Sequence, residues 1–284
     1  MQLESYQKRV PPHDWHIMTG GSGPVVLFLH GAGGSGESFE PVINNLSPKW
    51  RVIVPDLPGH GKTRLGGRRR SGLFPMAEDI ATLLDAEDLK VDAIVGHSAG
   101  AAIGLAMDAI CPPSGHILIN PALASFDGLA GWAFPGLART LRDLPFASTL
   151  LSSRLGRRDT ISRLLRTNGM EPDESMIQRY QRLAMSPEHI AGTLAMMGEW
   201  KLRPLLDRLP KITTPVHIYA ARNDPTVPYA VSARAEERLP YAQLTAVDGG
   251  HLVHESDPVL ISSLIESSLE SFGLSPPDLR GNRL

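Results

Sequence analysis

Val95-Gly96-His97-Ser98-Ala99-Gly100-Ala101 is the stretch on which the fold turns. It follows a short apolar run, Ala93 to Val95, and opens a run of small residues that continues to Ile110. A serine held at a sharp turn from strand into helix lifts its hydroxyl above a sheet, and Gly96 and Gly100 keep the neighbouring backbone free of side chains. A helix starting at Ser98 also points its positive end at that hydroxyl, which favours developing negative charge. The plainer alternative is a glycine-rich turn carrying a surface serine. The two readings part on whether a parallel sheet and a base surround the turn.

Outward from the turn, short apolar runs alternate with helix-like stretches, the pattern of a mostly parallel, twisted sheet covered on both faces. Strands are expected at Val25 to Leu29, Val52 to Val54, Ala93 to Val95, Ile117 to Ile119, Val216 to Ala220 and Leu244 to Val247. Helices are expected at Ser38 to Leu46, Met76 to Leu89, Ala99 to Ile110, Ala230 to Leu239 and Val259 to Phe272, the last with Asp257 as cap and Pro258 in its first turn. From Asn120 to Pro215 the strand rhythm stops for about ninety residues, far beyond an ordinary crossover. Helical periodicity at Leu137 to Leu144, Ser162 to Arg166, Met176 to Leu183 and Ile190 to Met197 makes this a helical lid. The expected division is core 1–120, lid 121–212, core 213–275 and a loose tail 276–284.

A serine nucleophile needs a base, and the base needs an orienting carboxylate. Asp224 lies just past one strand and His251 just past the next. Ser98, Asp224 and His251 thus fall in the chain order of this architecture, all at carboxyl ends of strands, where open α/β sheets gather their ligands. His254 is the fallback base. Asp248 and Asp257 compete for the acid role, but one shares the histidine's own loop and the other caps a helix. The oxyanion needs two backbone donors: Ala99, which follows the nucleophile, and Ala32 in the loop His30-Gly31-Ala32-Gly33-Gly34, with Gly33 as alternative. His30, Gly31, Gly33 and His97 are expected to border the substrate, with His30 bracing the loop. Met197 and Trp200, near Met196 and Leu202, suit either core packing or an adaptable surface over a flat apolar ligand. Such chemistry requires no metal and no organic cofactor. The expected partner is a small-molecule substrate with an apolar acyl ester.

The chain is 284 residues long, and its 28 basic and 30 acidic residues supply no global field for nucleic acid. The single cysteine, Cys111, excludes an internal disulfide and reads as a packed thiol at a helix end. Met1 to Trp15 lacks the apolar core of a secretory signal, and Ala93 to Ile110 is interrupted by His97, Ser98 and Asp108, so a cytoplasmic protein without a transmembrane segment is expected. Arg64 and Arg68 to Arg70 form a basic loop, either solvated or docking an acidic partner. One rival remains: Gly31 to Gly36 satisfies a dinucleotide-binding fingerprint, with Asp56 at the offset of a ribose-binding acid. That reading leaves Ser98, Asp224 and His251 without a role.

With these motifs in place the chain resembles the α/β-hydrolase superfamily over roughly Pro24 to Phe272. More narrowly, four stretches are similar to the magnesium-chelatase accessory proteins of bacteriochlorophyll biosynthesis. They are Asp56-Leu-Pro-Gly-His-Gly-Lys-Thr63, Val95 to Ile103, Asn120-Pro-Ala-Leu123, and Ser186 to Leu205 with Ala195-Met-Met-Gly-Glu-Trp200. The resemblance implies an α/β-hydrolase fold with the lid after its sixth strand, a role around magnesium insertion into protoporphyrin IX, and magnesium chelatase as a partner. Three functions follow: a serine hydrolase acting on an ester or related acyl bond, a tetrapyrrole- or chelatase-binding accessory protein with a secondary triad, and a cofactor-free perhydrolase or carbon–carbon hydrolase.

Overall fold

Successive residues of the strand Val25–Leu29 part company: Leu27 and Leu29 enter one core, Val26 and Phe28 another. A strand apolar on both faces is stable only with helices on both. The computed structural model describes residues 1–124, 140 and 147–275. It contains β1 (Glu4–Val10), β2 (His13–Gly20), β3 (Val25–Leu29), β4 (Arg51–Pro55), β5 (Ala93–His97), β6 (Gly115–Ile119), β7 (Val216–Ala221) and β8 (Ala242–Val247). The two-sided division recurs along them, with Ile53, Ile94, Leu118 and Ile218 on one face and Val54, Val95, Ile119 and Tyr219 on the other.

The helices follow the same logic. Between the strands up to β6 lie α1 (Glu40–Asn45), α2 (Leu73–Ala86) and α3 (Ala99–Met107). Between β6 and β7 come α4 (Ala147–Leu155), α5 (Arg158–Thr167), α6 (Glu174–Ala184), α7 (Pro187–Glu199) and α8 (Arg203–Leu206). After β7 come α9 (Tyr229–Glu236), α10 (Val253–Ser256) and α11 (Pro258–Ser271). Met76 and Ile80 of α2, Ile103 of α3 and Val231 of α9 cover the first face, and Ile43 of α1, Val253 of α10 and Ile265 of α11 the second. Each such side chain, once buried, contributes about 1.5–3 kcal/mol.

The sheet order is β1-β2-β4-β3-β5-β6-β7-β8, antiparallel from β1 through β4 and parallel from there on. The chain leaves β3 toward β4 and then crosses back to β5, so the loops after β3 and β5 diverge and open a crevice at the carboxyl edge. That crevice holds the site.

Two strands exceed the six expected. β1 and β2 form an antiparallel hairpin whose outer member, Glu4–Val10, is mostly exposed and charged, so it carries no apolar run to announce it. The first helix is split, a 3-10 turn at Gly36–Phe39 preceding α1, and α2 begins three residues early, at Leu73. Helices α5, α6 and α7 cover three of the periodic stretches of the insertion, while Leu137 to Leu144 and the tail 276–284 lie outside the described residues, save residue 140. Among the described residues no helix is long and apolar enough to cross a membrane. Cys111 is a free, half-buried thiol against the first core.

Candidate active site

Ser98 sits between β5 and α3 with φ 53° and ψ −115°, a backbone conformation that costs a non-glycine residue on the order of 1–3 kcal/mol. Its surroundings enforce it. The Ser98 amide donates to the Ile119 carbonyl (3.0 Å), and the Ser98 carbonyl accepts from the Ala122 amide (3.0 Å), tying the turn to the end of β6. A Cβ on Gly96 would lie 2.5 Å from Ala101 Cα, and one on Gly100 would lie 2.0 Å from the Leu29 carbonyl oxygen. Both flanking positions therefore admit glycine alone.

The three residues expected to act together meet. His251 Nε2 stands 3.1 Å from Ser98 Oγ, and His251 Nδ1 stands 2.7 Å from Asp224 Oδ2. The other carboxylate oxygen, Asp224 Oδ1, accepts from the amides of Thr226 (2.7 Å) and Val227 (2.9 Å), so the carboxylate cannot rotate away from the imidazole. His251 and Asp224 are buried. Neither Asp248 nor Asp257 takes Asp224's place: the Asp257 side chain accepts from the Leu260 amide as the cap of α11.

Asn120, at φ 45°, does more than sequence reasoning assigned to it. Its Nδ2 donates to the carbonyls of Gly250 (3.1 Å) and His251 (2.9 Å), and its Oδ1 accepts from the Ala221 amide (2.7 Å). One buried amide thus fastens the histidine loop to the end of β7.

The glycine loop after β3 lies against the serine turn, since a Cβ on Gly31 would come 3.1 Å from Ser98 Cβ. Ala32 is exposed on that loop, and Ala99 is the first residue of α3. The two histidines expected beside the substrate face protein instead. His30 is fully buried, its Nδ1 donating to the Gly31 carbonyl (2.8 Å) and its Nε2 accepting from the Leu57 amide (2.9 Å), and burial holds its pKa below the usual value. His97 donates from Nε2 to the His251 carbonyl (2.9 Å), and its ring stacks on His254 at 4.2 Å. Burial pushes the His97 pKa well below the usual value, and His254, also buried, is lowered to about 3. No bond joins His254 to Ser98, so the fallback base has no geometry for that role.

Asp56 accepts from the Gly36 amide (2.7 Å), the Lys62 amide (2.8 Å) and His16 Nδ1 (3.0 Å). Burial works to raise its pKa, but the His16 bond, with the other contacts, holds it below the usual carboxylate range. Both oxygens are engaged by protein, which removes Asp56 as a ribose acceptor. In the basic loop, Arg70 is fixed by Asp79 at 2.6 and 2.9 Å and by Glu78 at 3.0 Å, whereas Arg64 stays exposed.

The helices between β6 and β7 grip this site at both ends. His189 on α7 accepts at Nδ1 from the Gly61 amide (3.0 Å) and donates from Nε2 to the Gly33 carbonyl (3.2 Å); burial lowers its pKa to about 4. Gly192 meets Gly59 backbone to backbone, since a Cβ on Gly192 would fall 2.0 Å from the Gly59 oxygen. At the other end, Arg179 and Tyr180 of α6 both bond the buried Glu255 carboxylate, four residues past His251. Met197 is half-buried, and Trp200 packs against the first core beside Met196 and Leu202.

A family model described as the alpha/beta hydrolase family matches residues 26–263. The chain belongs to the alpha/beta hydrolase family. The chain is 44% identical, over 93% of its length and 94% of the other's, to the magnesium-chelatase 30 kDa subunit of Rhodobacter capsulatus. Solved structures of the same fold include an esterase from Thermogutta terrifontis (TM-score 0.74, 21% identity, covering 96% of this chain and 99% of that one). A haloalkane dehalogenase from Bradyrhizobium elkani aligns with TM-score 0.78 at 18% identity, over 96% and 99%. One alpha/beta hydrolase fold thus carries different bond-breaking chemistries, and the site must select among them.

Proposed function

We propose that the protein is a serine hydrolase acting on an ester or related acyl bond, with Ser98 as nucleophile, His251 as base and Asp224 as the acid that orients it. The 3.1 Å approach of His251 Nε2 to Ser98 Oγ, with Asp224 2.7 Å behind the ring, carries this reading. Ser98 Oγ attacks the acyl carbon while its proton passes to His251 Nε2. The amides of Ala99 and Ala32 receive the charge on the carbonyl oxygen. Collapse expels the leaving group with the proton from His251, and water, deprotonated by the same ring, releases the acid and restores Ser98. Ala99 suits the oxyanion role because the first turn of a helix leaves its amides without intrahelical partners. His30 and His97 brace the loop and the histidine rather than touch substrate. Gly31 and Gly33 border the acyl group through their backbone, and the insertion that carries Met197 and Trp200 serves as its lid.

A second reading draws on the 44% identity to a magnesium-chelatase subunit: the physiological ligand is a tetrapyrrole intermediate or its ester, and magnesium chelatase is a partner. The two readings are compatible if the acyl bond belongs to such a pigment. Turnover of p-nitrophenyl acetate tests the chemistry. The wild type is expected to hydrolyse it and Ser98→Ala to lose turnover, whereas equal rates in both would place the reaction elsewhere.

A further inference from the structure

Helix α5 ends at Asn168-Gly169, with Gly169 at φ 78° and the Met170 amide turned back to the Leu165 carbonyl (3.3 Å). Ordinarily such a turn only stops a helix. Here it reaches two separate loops of the catalytic edge. The Asn168 carbonyl accepts from the His251 amide (2.9 Å). The Asn168 Oδ1 accepts from Thr226 Oγ1 (2.6 Å), and Thr226 is the residue whose own amide holds Asp224 Oδ1 at 2.7 Å. Asn168 Nδ2 donates to the Leu164 carbonyl (2.8 Å), which fixes the amide with its oxygen toward Thr226. The approach is close throughout: a Cβ on Gly169 would lie 2.8 Å from Gly250 Cα, and one on Gly250 would lie 2.4 Å from the Asn168 oxygen.

We propose that Asn168 is a positioning residue for the His251–Asp224 pair, through which the helical insertion sets the register of the two catalytic loops. The inference rests on the serine-hydrolase reading. β7 and β8 deliver Asp224 and His251 on independent loops, and the pair works only while Nδ1 and Oδ2 stay within hydrogen-bond reach. Asn120 fixes the histidine loop from below, to the sheet. Among the described residues Asn168 is the one that bonds both loops from the insertion side, so docking of α5 and alignment of the pair become one event. A ligand that lifted α5 would loosen His251 and Asp224 together, without touching either.

The test is steady-state kinetics on p-nitrophenyl acetate for Asn168→Ala, Thr226→Val, Thr226→Ser and the Asn168→Ala/Thr226→Val double variant, with the folded fraction of each measured by circular dichroism at the assay temperature. Each of the two disruptive single variants is expected to lower kcat about fivefold, the scale of one hydrogen bond, with KM within about twofold. Thr226→Ser keeps the hydroxyl and is expected to stay near wild type. The double variant should be no worse than either single, because both remove the same bond. Unchanged kcat in both disruptive variants, losses that multiply in the double, or losses that merely follow the folded fraction would each overturn the proposal. The wild type separates this failure from that of the underlying reading. If it lacks Ser98-dependent turnover, the hydrolase reading falls and this one with it; if it turns over and the variants match it, only the role of Asn168 is lost.

Discussion

Asp224 uses its two oxygens for different work, one held by two backbone amides and the other left to His251. Asp224→Asn should therefore keep the fold, since an amide oxygen can still accept from Thr226 and Val227. It would nevertheless present a donor or the wrong tautomer to the imidazole, and kcat is expected to fall by roughly three to four orders of magnitude. Matched melting temperatures with a steep kinetic loss would bear this out; a loss under tenfold would move the acid elsewhere. Asn120→Ala should behave in the opposite way. It strips partners from buried groups on Ala221, Gly250 and His251, so stability drops by about 1–3 kcal/mol while kcat suffers less than in Asp224→Asn. Ser98, Asp224 and His251 were legible as candidates because each lies within a few residues of the end of an apolar run that reads as a strand. The work of Asn120 was not, since its partners stand 101 and 131 residues away and no local spacing encodes them. His30 braces its loop as its place beside the glycines suggests, whereas the turn of the His97 ring toward the His251 carbonyl could not be read from its place before Ser98, because it depends on packing.

At the scale of elements, the strands of the parallel sheet were readable from their two-sided apolar runs. The outer strand β1 was not, because an edge strand that is largely exposed and polar shows no such run. The helical insertion was visible as a gap in the strand rhythm, yet its attachment points were hidden. His189 reaches Gly33 and Gly61 across 156 and 128 residues. The contact of Gly192 with Gly59 offers a direct probe of that attachment. Gly192→Ala puts a methyl within 2.0 Å of a backbone oxygen, so α7 must move off the loop that carries Pro58 to Gly61. The expected cost is about 1–3 kcal/mol, with a larger effect on KM for bulky esters than for acetate. An unchanged melting temperature would show that α7 is not seated where this contact puts it.

For the whole molecule, five histidines, His30, His60, His97, His189 and His254, are buried with pKa values held below the ordinary one by burial. The unfolded chain protonates them near pH 6.5, whereas the folded chain resists, His189 until about 4 and His254 until about 3. The stability tied to their neutral forms is therefore fully present above about pH 6.5 and is lost as pH falls below it, because the unfolded state binds the extra protons. A fall in melting temperature of roughly 10 °C or more between pH 7 and pH 5 is expected by calorimetry. A flat profile over that range would contradict the burial of these rings. The fold by itself does not choose a reaction, as its esterase and dehalogenase neighbours make plain. The claim that this molecule is built around a nucleophilic Ser98 is tested most directly by intact-protein mass spectrometry after exposure to a fluorophosphonate. A single phosphonyl adduct is predicted, mapped to Ser98 by peptide digestion and absent from Ser98→Ala. An unmodified wild type, or an adduct that persists in Ser98→Ala, would contradict it.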